Sequence, residues 1–99
     1  MKYQMLSIRD TKADYYNQVI TMKTIDEAVR ALGELVTDQR SMIARHPEDY
    51  DLYHLGQFDD QTGELIPLSS PVHVMKAAHH PALKMGLKAV PTSGEAFPN

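Results

Sequence analysis

Basic and aromatic side chains interleave early in the sequence. Arg9, Lys12 and Lys23 surround Tyr15 and Tyr16, and Arg40 and Arg45 follow further on. Single-stranded nucleic acid is held by this mixture, with cations tracking the phosphates and aromatic rings stacking on unpaired bases. Lys76, Lys84 and Lys88 add positive charge towards the C-terminal end. The candidate DNA-binding set is therefore Arg9, Lys12, Tyr16, Lys23, Arg40, Arg45, Lys76, Lys84 and Lys88. The same tyrosines also suit a core or a subunit interface, and arginines beside a helix suit a solvated face.

Other chemistries fit less well. Glu48, Asp49, Asp51, Asp59 and Asp60 form the densest acidic group, and hard cations need several oxygens at fixed positions. Asp49 and Asp59 would flank one strand at opposite ends, roughly 30 Å apart at ~3.3 Å per residue, so they cannot share an ion. His73, His79 and His80 match no established zinc spacing. Cysteine is absent, which removes disulfides and thiol catalysis. Ser7, Ser41, Ser69, Ser70 and Ser93 lie in no nucleophile-elbow context, and no phosphate-cradling glycine loop is present. The expectation is a protein that is not an enzyme and uses no metal or cofactor.

Charge is distributed unevenly. Residues 1–64 carry seven Lys/Arg against twelve Asp/Glu, net −5, and residues 65–99 carry three Lys against one Glu, net +2. The total of −3 argues against broad electrostatic DNA binding, whereas an acidic body with a basic appendage is compatible with local contact. At 99 residues and 42% apolar composition, the chain makes one small soluble domain. No apolar run approaches the ~18 residues of a membrane span. No signal-like segment opens the sequence either, which predicts a protein that stays in the cytoplasm.

These residues need a scaffold. Tyr3–Arg9 reads as a strand, with Gln4, Leu6 and Ile8 on one side and Tyr3, Met5 and Ser7 on the other. Asp10–Asp14 is a polar connection and Tyr15–Met22 a second strand. Thr24 and Glu27 fit a capping box ahead of a helix whose stripe is Ile25, Ala28, Val29, Leu32, Leu35 and Val36. Ser41–Arg45 makes a short helical turn that must end near His46, because Pro47 expels its predecessor from helical geometry. Asp51–Phe58 is a third strand. Asp59–Gly63 is a turn with Gly63 at positive φ, and Glu64–Leu68 returns as a fourth strand confined to an edge by Pro67. Pro71–Ala78 fits a short helix with proline at its first position, and residues 79–99 fit a flexible basic tail.

The predicted fold is α+β: a small antiparallel four-stranded sheet, ordered β-β-α-β-β, with one covering helix. The domain spans residues 1–78 and the tail 79–99. One helix covers one sheet face, and both faces of each strand carry apolar residues, so the covered face is left open. The uncovered face would hold several of Tyr3, Met5, Tyr15, Val19, Tyr53 and Leu55. A second copy of the chain would shelter it most simply, which predicts a homodimer with those six residues at its interface.

Three motifs carry a family resemblance: the run Ser7–Ala13 (SIRDTKA), the run Arg45–Tyr53 (RHPEDYDLY) and the run Leu55–Gly63 (LGQFDDQTG). In order and spacing they resemble the small nonstructural protein of gokushoviruses, the single-stranded DNA phages of the Microviridae, over residues 3–78. The resemblance implies a phage protein in the host bacterial cytoplasm, outside the major capsid and described as nonstructural or DNA-binding. It further implies action when genome replication switches to single-strand synthesis and packaging, and it supplies no catalytic residues. Two functions follow as expectations. One is single-stranded DNA binding without sequence preference. The other is a protein-interaction module engaging a phage or host replication protein, or a capsid protein, without DNA contact.

Overall fold

A computed structural model describes residues 1–83. Its strands are β1 (Lys2–Asp10), β2 (Tyr15–Tyr16), β3 (Ile20–Met22), β4 (Tyr50–Asp59) and β5 (Leu65–Lys76); its helices are α1 (Ile25–Thr37) and α2 (Met42–Arg45). The fold is α+β with one antiparallel five-stranded sheet. It runs β2-β1-β4-β5, with β3 also pairing β1.

The fifth strand arises because the stretch expected as one strand, Tyr15–Met22, is broken. Tyr16 pairs Arg9 and Ile20 pairs Leu6, so the register slips by one residue across Asn17–Val19. Asn17 stays attached to β1: its N–H donates to the Ile8 carbonyl at 2.8 Å, and the Ser7 hydroxyl donates to its carbonyl at 2.7 Å. The turn before β2 is closed by Asp14 at φ 64°, a left-handed conformation that aspartate tolerates better than most residues.

The helix forms as its caps dictate. The Thr24 hydroxyl accepts from the Glu27 N–H at 3.1 Å, while Glu27 reaches back to the Lys23 N–H rather than that of Thr24. Ala28, Leu32 and Val36 are buried against Leu6, Tyr50, Leu52 and Ala77, with Ile8, Ile20, Met22 and Met75 packed around them. Leu6, Ile8 and Leu52 therefore mark the covered sheet face. Leu35 lies off the buried stripe and is exposed.

The largest departure is at the C-terminal side of the hairpin. Gly63 has φ 76°, as the turn requires, but the following strand continues to Lys76 where a helix was expected from Pro71. Being outermost, β5 can carry Pro67 and Pro71 without breaking an interior ladder. Leu68–Pro71 bulge out opposite Leu55, and the ladder resumes with Val72 on His54 and His73 on Tyr53. β-Branched Val72 and Val74 suit that pleated surface. Gly56 is needed where the strands close up, since a Cβ there would stand 2.4 Å from the Ile66 carbonyl oxygen.

Nor does the packed domain end at residue 78. His80 Nε2 donates to the Val29 carbonyl at 2.8 Å and its Nδ1 accepts from the Ala82 N–H at 3.0 Å. Ala82 and Leu83 pack on the core beside it. Gly33 makes the notch, for a Cβ on it would lie 2.7 Å from the His80 ring. Residues 84–99, the remainder of the expected tail, lie outside the described residues.

Candidate nucleic-acid interface on the open sheet face

Directly paired residues on neighbouring strands share a sheet face, so the register lays out in rows the side that no described helix covers. One row runs Tyr16–Arg9–Asp51–Lys76 across β2, β1, β4 and β5. The next runs Ser7–Tyr53–His73. Further along come Met5–Gly56–Pro67 and then Tyr3–Phe58–Leu65. The first two rows are aromatic and charged, and the last two are apolar.

The first two rows interlock. Tyr16 meets Tyr53 edge to face at 5.5 Å between ring centroids, and Tyr53 meets His73 in the same way at 5.3 Å, a preferred geometry for aromatic pairs. The Arg9 guanidinium lies 5.4 Å above the Tyr16 ring and pairs with Asp14. Tyr16 raises the Arg9 pKa; burial opposes this and Asp14 adds to it. Arg9 is a permanent cation here. At the other end His73 Nε2 donates to Asp51 Oδ1 at 2.9 Å, and Lys76 Nζ lies 3.5 Å from the same oxygen. Lys76 also donates to the Glu48 carbonyl at 3.1 Å.

Asp51 is only 7% exposed, and a buried carboxylate needs such partners to offset its lost hydration. Tyr16 is 37% exposed and the His73 side chain 49%, so both rings can be reached from solvent. Ser7 is wholly buried in its row, with its hydroxyl turned to Asn17. The result is an open aromatic strip with a cation at each end. Two interstrand steps of about 4.8 Å put the Arg9 and Lys76 backbones roughly 10 Å apart across the first row.

Of the nine residues expected to bind DNA, the fold gathers Arg9, Tyr16 and Lys76. Lys12 lies in the β1–β2 turn, its N–H on Asp10. Lys23 borders a shallow depression with Gln4, Thr24, Ile25 and Asp26, at the start of α1. Arg40 is tied to Asp38 by two hydrogen bonds of 3.0 and 3.1 Å, which lower the Asp38 pKa. Arg45 donates to the Gln39 carbonyl. Both arginines follow α1, in the helical layer. Lys84 and Lys88 lie outside the described residues.

The six residues expected at a dimer interface are likewise divided. Tyr3, Met5 and Tyr53 share the open face. Tyr15 pairs Asp10 and so stands on the opposite side, near buried Tyr50. The Tyr50 pKa is raised by burial first, then by Asp10 and Tyr15. Val19 is exposed in the break between β2 and β3. Leu55 occupies the unpaired position where the β4 register shifts. His73 and Asp51 were missed as partners because only the continuation of β5 brings them together.

The acidic and histidine clusters also separate. Asp49 and Asp59 stand at opposite ends of β4, and His73 and His80 bond on opposite sides of the sheet. Among the described residues no three histidine, aspartate or glutamate side chains converge as metal ligands. No helix there is long and apolar enough to cross a membrane.

The motifs of the first and second runs meet directly. The Thr11 N–H and hydroxyl both donate to the Asp49 carbonyl, at 2.8 and 2.9 Å, and Asp10 holds the Lys12 and Ala13 N–H groups. Asp59 caps the third run through the Gln61 and Thr62 N–H groups. Comparison with known proteins agrees with this pattern. The family model described as Phage ORF5 protein matches residues 3–80. Protein ORF5 of Chlamydia phage 1, a gokushovirus of the Microviridae, is 30% identical over 70 residues, covering 67% of this chain and 73% of the relative. No solved structure matches. The chain belongs to the Phage ORF5 protein family, a group of phage proteins of nonstructural type.

Proposed function

We propose that this protein binds single-stranded DNA, without base-sequence preference, on the open face of its sheet. It acts there as a non-enzymatic accessory of phage genome replication or packaging in the host cytoplasm. The observation that carries this reading is the strip Tyr16–Tyr53–His73 with Arg9 and Lys76 at its ends. Rings offer stacking surfaces to any unpaired base, and two cations suit the flanking phosphates. Duplex DNA keeps its bases stacked inside and cannot use the rings.

Charge also distinguishes DNA from a second copy of the chain on this half of the face. In a two-fold dimer each contact is reciprocated. Bringing the strip onto itself would set the Arg9–Asp14 and Lys76–Asp51 pairs against their own copies and offer neither cation a new anion, whereas a polynucleotide brings phosphates to both. The apolar half, with Tyr3, Met5, Phe58 and a 64% exposed Leu65, favours a second reading in which a protein partner docks beside the strip. A binding titration with labelled oligothymidylate at rising salt tests the proposal. We expect measurable affinity at ~50 mM salt that falls with a slope of about −1.4 in log–log form, from two phosphate contacts. Absence of binding at that salt rejects the DNA role and leaves the protein-docking reading.

A further inference from the structure

A carboxylate in the middle of a surface that holds phosphates poses a problem. Asp51 occupies the centre of the Tyr16–Arg9–Asp51–Lys76 row, where its charge repels a polyanion. It is nevertheless buried, and its Oδ1 receives both His73 Nε2 and Lys76 Nζ. With Nε2 carrying the proton toward Asp51, the His73 ring is fixed in tautomer and in tilt, edge-on to Tyr53 at 76°. Lys76 is held at the end of the row by the same oxygen and by the Glu48 carbonyl. Without Asp51 a half-exposed histidine on an outer strand and a long lysine would each sample several rotamers. The cost of ordering them would then fall on ligand binding.

We infer that Asp51 is a positioning residue for a single-stranded polynucleotide. It orders His73 as the third ring of the strip and Lys76 as its terminal cation, so that the ligand crosses the sheet from the Arg9 end to the Lys76 end. This inference rests on the DNA-binding reading above. It adds that Asp51 assists a polyanion in spite of its own charge.

Charge and position predict opposite signs. Asp51→Asn keeps a carbonyl oxygen for His73 Nε2–H and Lys76 while removing the negative charge. Asp51→Ala removes both. Anisotropy titrations of the full chain with labelled oligothymidylate at ~50 mM salt should show Asp51→Asn binding as tightly as the unsubstituted protein, or tighter. Asp51→Ala should bind about five- to tenfold more weakly, the scale of losing one stacked ring. His73→Ala should lose no more than Asp51→Ala, which also frees Lys76, and the double variant should bind no more weakly than Asp51→Ala alone. If Asp51→Ala binds as tightly as Asp51→Asn, Asp51 acts by charge alone and the inference is overturned, with the DNA reading intact. No binding by the unsubstituted chain overturns both. Nitrogen-15 correlation spectra of the His73 ring in the unsubstituted protein need no variant to fold: the Nε2–H tautomer is expected, and Nδ1–H overturns the assignment.

Discussion

The two faces of the sheet are built from alternate residues of the same strands, yet they differ in kind. Leu6, Ile8 and Leu52 point into a layer formed by α1 and by the segment through Leu83, and that layer holds the fold together. Ser7, Arg9, Asp51 and Tyr53, their immediate neighbours in sequence, face the other way and join a network of rings and charges. Stability is concentrated on one side, and the proposed recognition surface lies on the other. Substitution should therefore separate the two properties residue by residue along a single strand.

Leu52→Ala is the most damaging change for the covered face, removing a fully buried side chain at a cost of about 2–5 kcal/mol. Urea denaturation should register it, and an unchanged midpoint would contradict the packing. Its neighbour Tyr53→Ala should do the reverse. Loss of one stacking ring weakens oligothymidylate binding by about 1–3 kcal/mol, with a smaller drop in urea midpoint than Leu52→Ala. If both variants lose stability equally and binding is untouched, the division of labour fails.

Gly33→Ala sharpens the comparison further, because two effects compete. Helix propensity alone favours alanine by about 1 kcal/mol. The new Cβ collides with the His80 ring, and overpacking costs about 1–3 kcal/mol. We expect net destabilisation in a thermal melt and no change in DNA affinity. The smallest effect concerns acid. Backbone N–H groups, chiefly that of Gln61, hold the Asp59 pKa below its ordinary 3.8. A depressed folded-state value contributes stability above the unfolded pKa and loses it as pH falls through the folded one. The hairpin should therefore loosen only below about pH 4, and Asp59→Asn should flatten that part of the stability profile.

Local signals in the sequence were reliable where one residue sets the geometry. Thr24 and Glu27 start α1, Pro47 follows the end of α2, and Gly63 takes the positive φ of its turn. The misreadings came where tertiary pairing outweighs local preference. Pro71 ahead of an apolar stretch resembles a helix start, but Val72–Lys76 have partners on β4 that a proline on an outer strand does not disturb. Gly33 is unfavourable to a helix by propensity alone, and its place in α1 is accounted for by the His80 ring that fills the space beside it. Arg9, Tyr16 and Lys76 are expected from the sequence to bind DNA, whereas Tyr53 is expected only at a dimer interface. Their assembly into one strip depends on register, and β-bulges at Leu55 and Val74 have no marker in composition or periodicity.

The outermost strands also limit how these molecules can meet. On one flank, prolines at positions 67 and 71 lack the amide hydrogen that an arriving strand would seek. On the other, the interruption at Asn17–Val19 leaves only two short stubs to pair with. Growth of the sheet sideways into ribbons or fibrils is thereby discouraged, even though the described residues leave one broad surface uncovered. On the proposed DNA-binding reading, many copies can then crowd along a genome without the chains knitting together into aggregates.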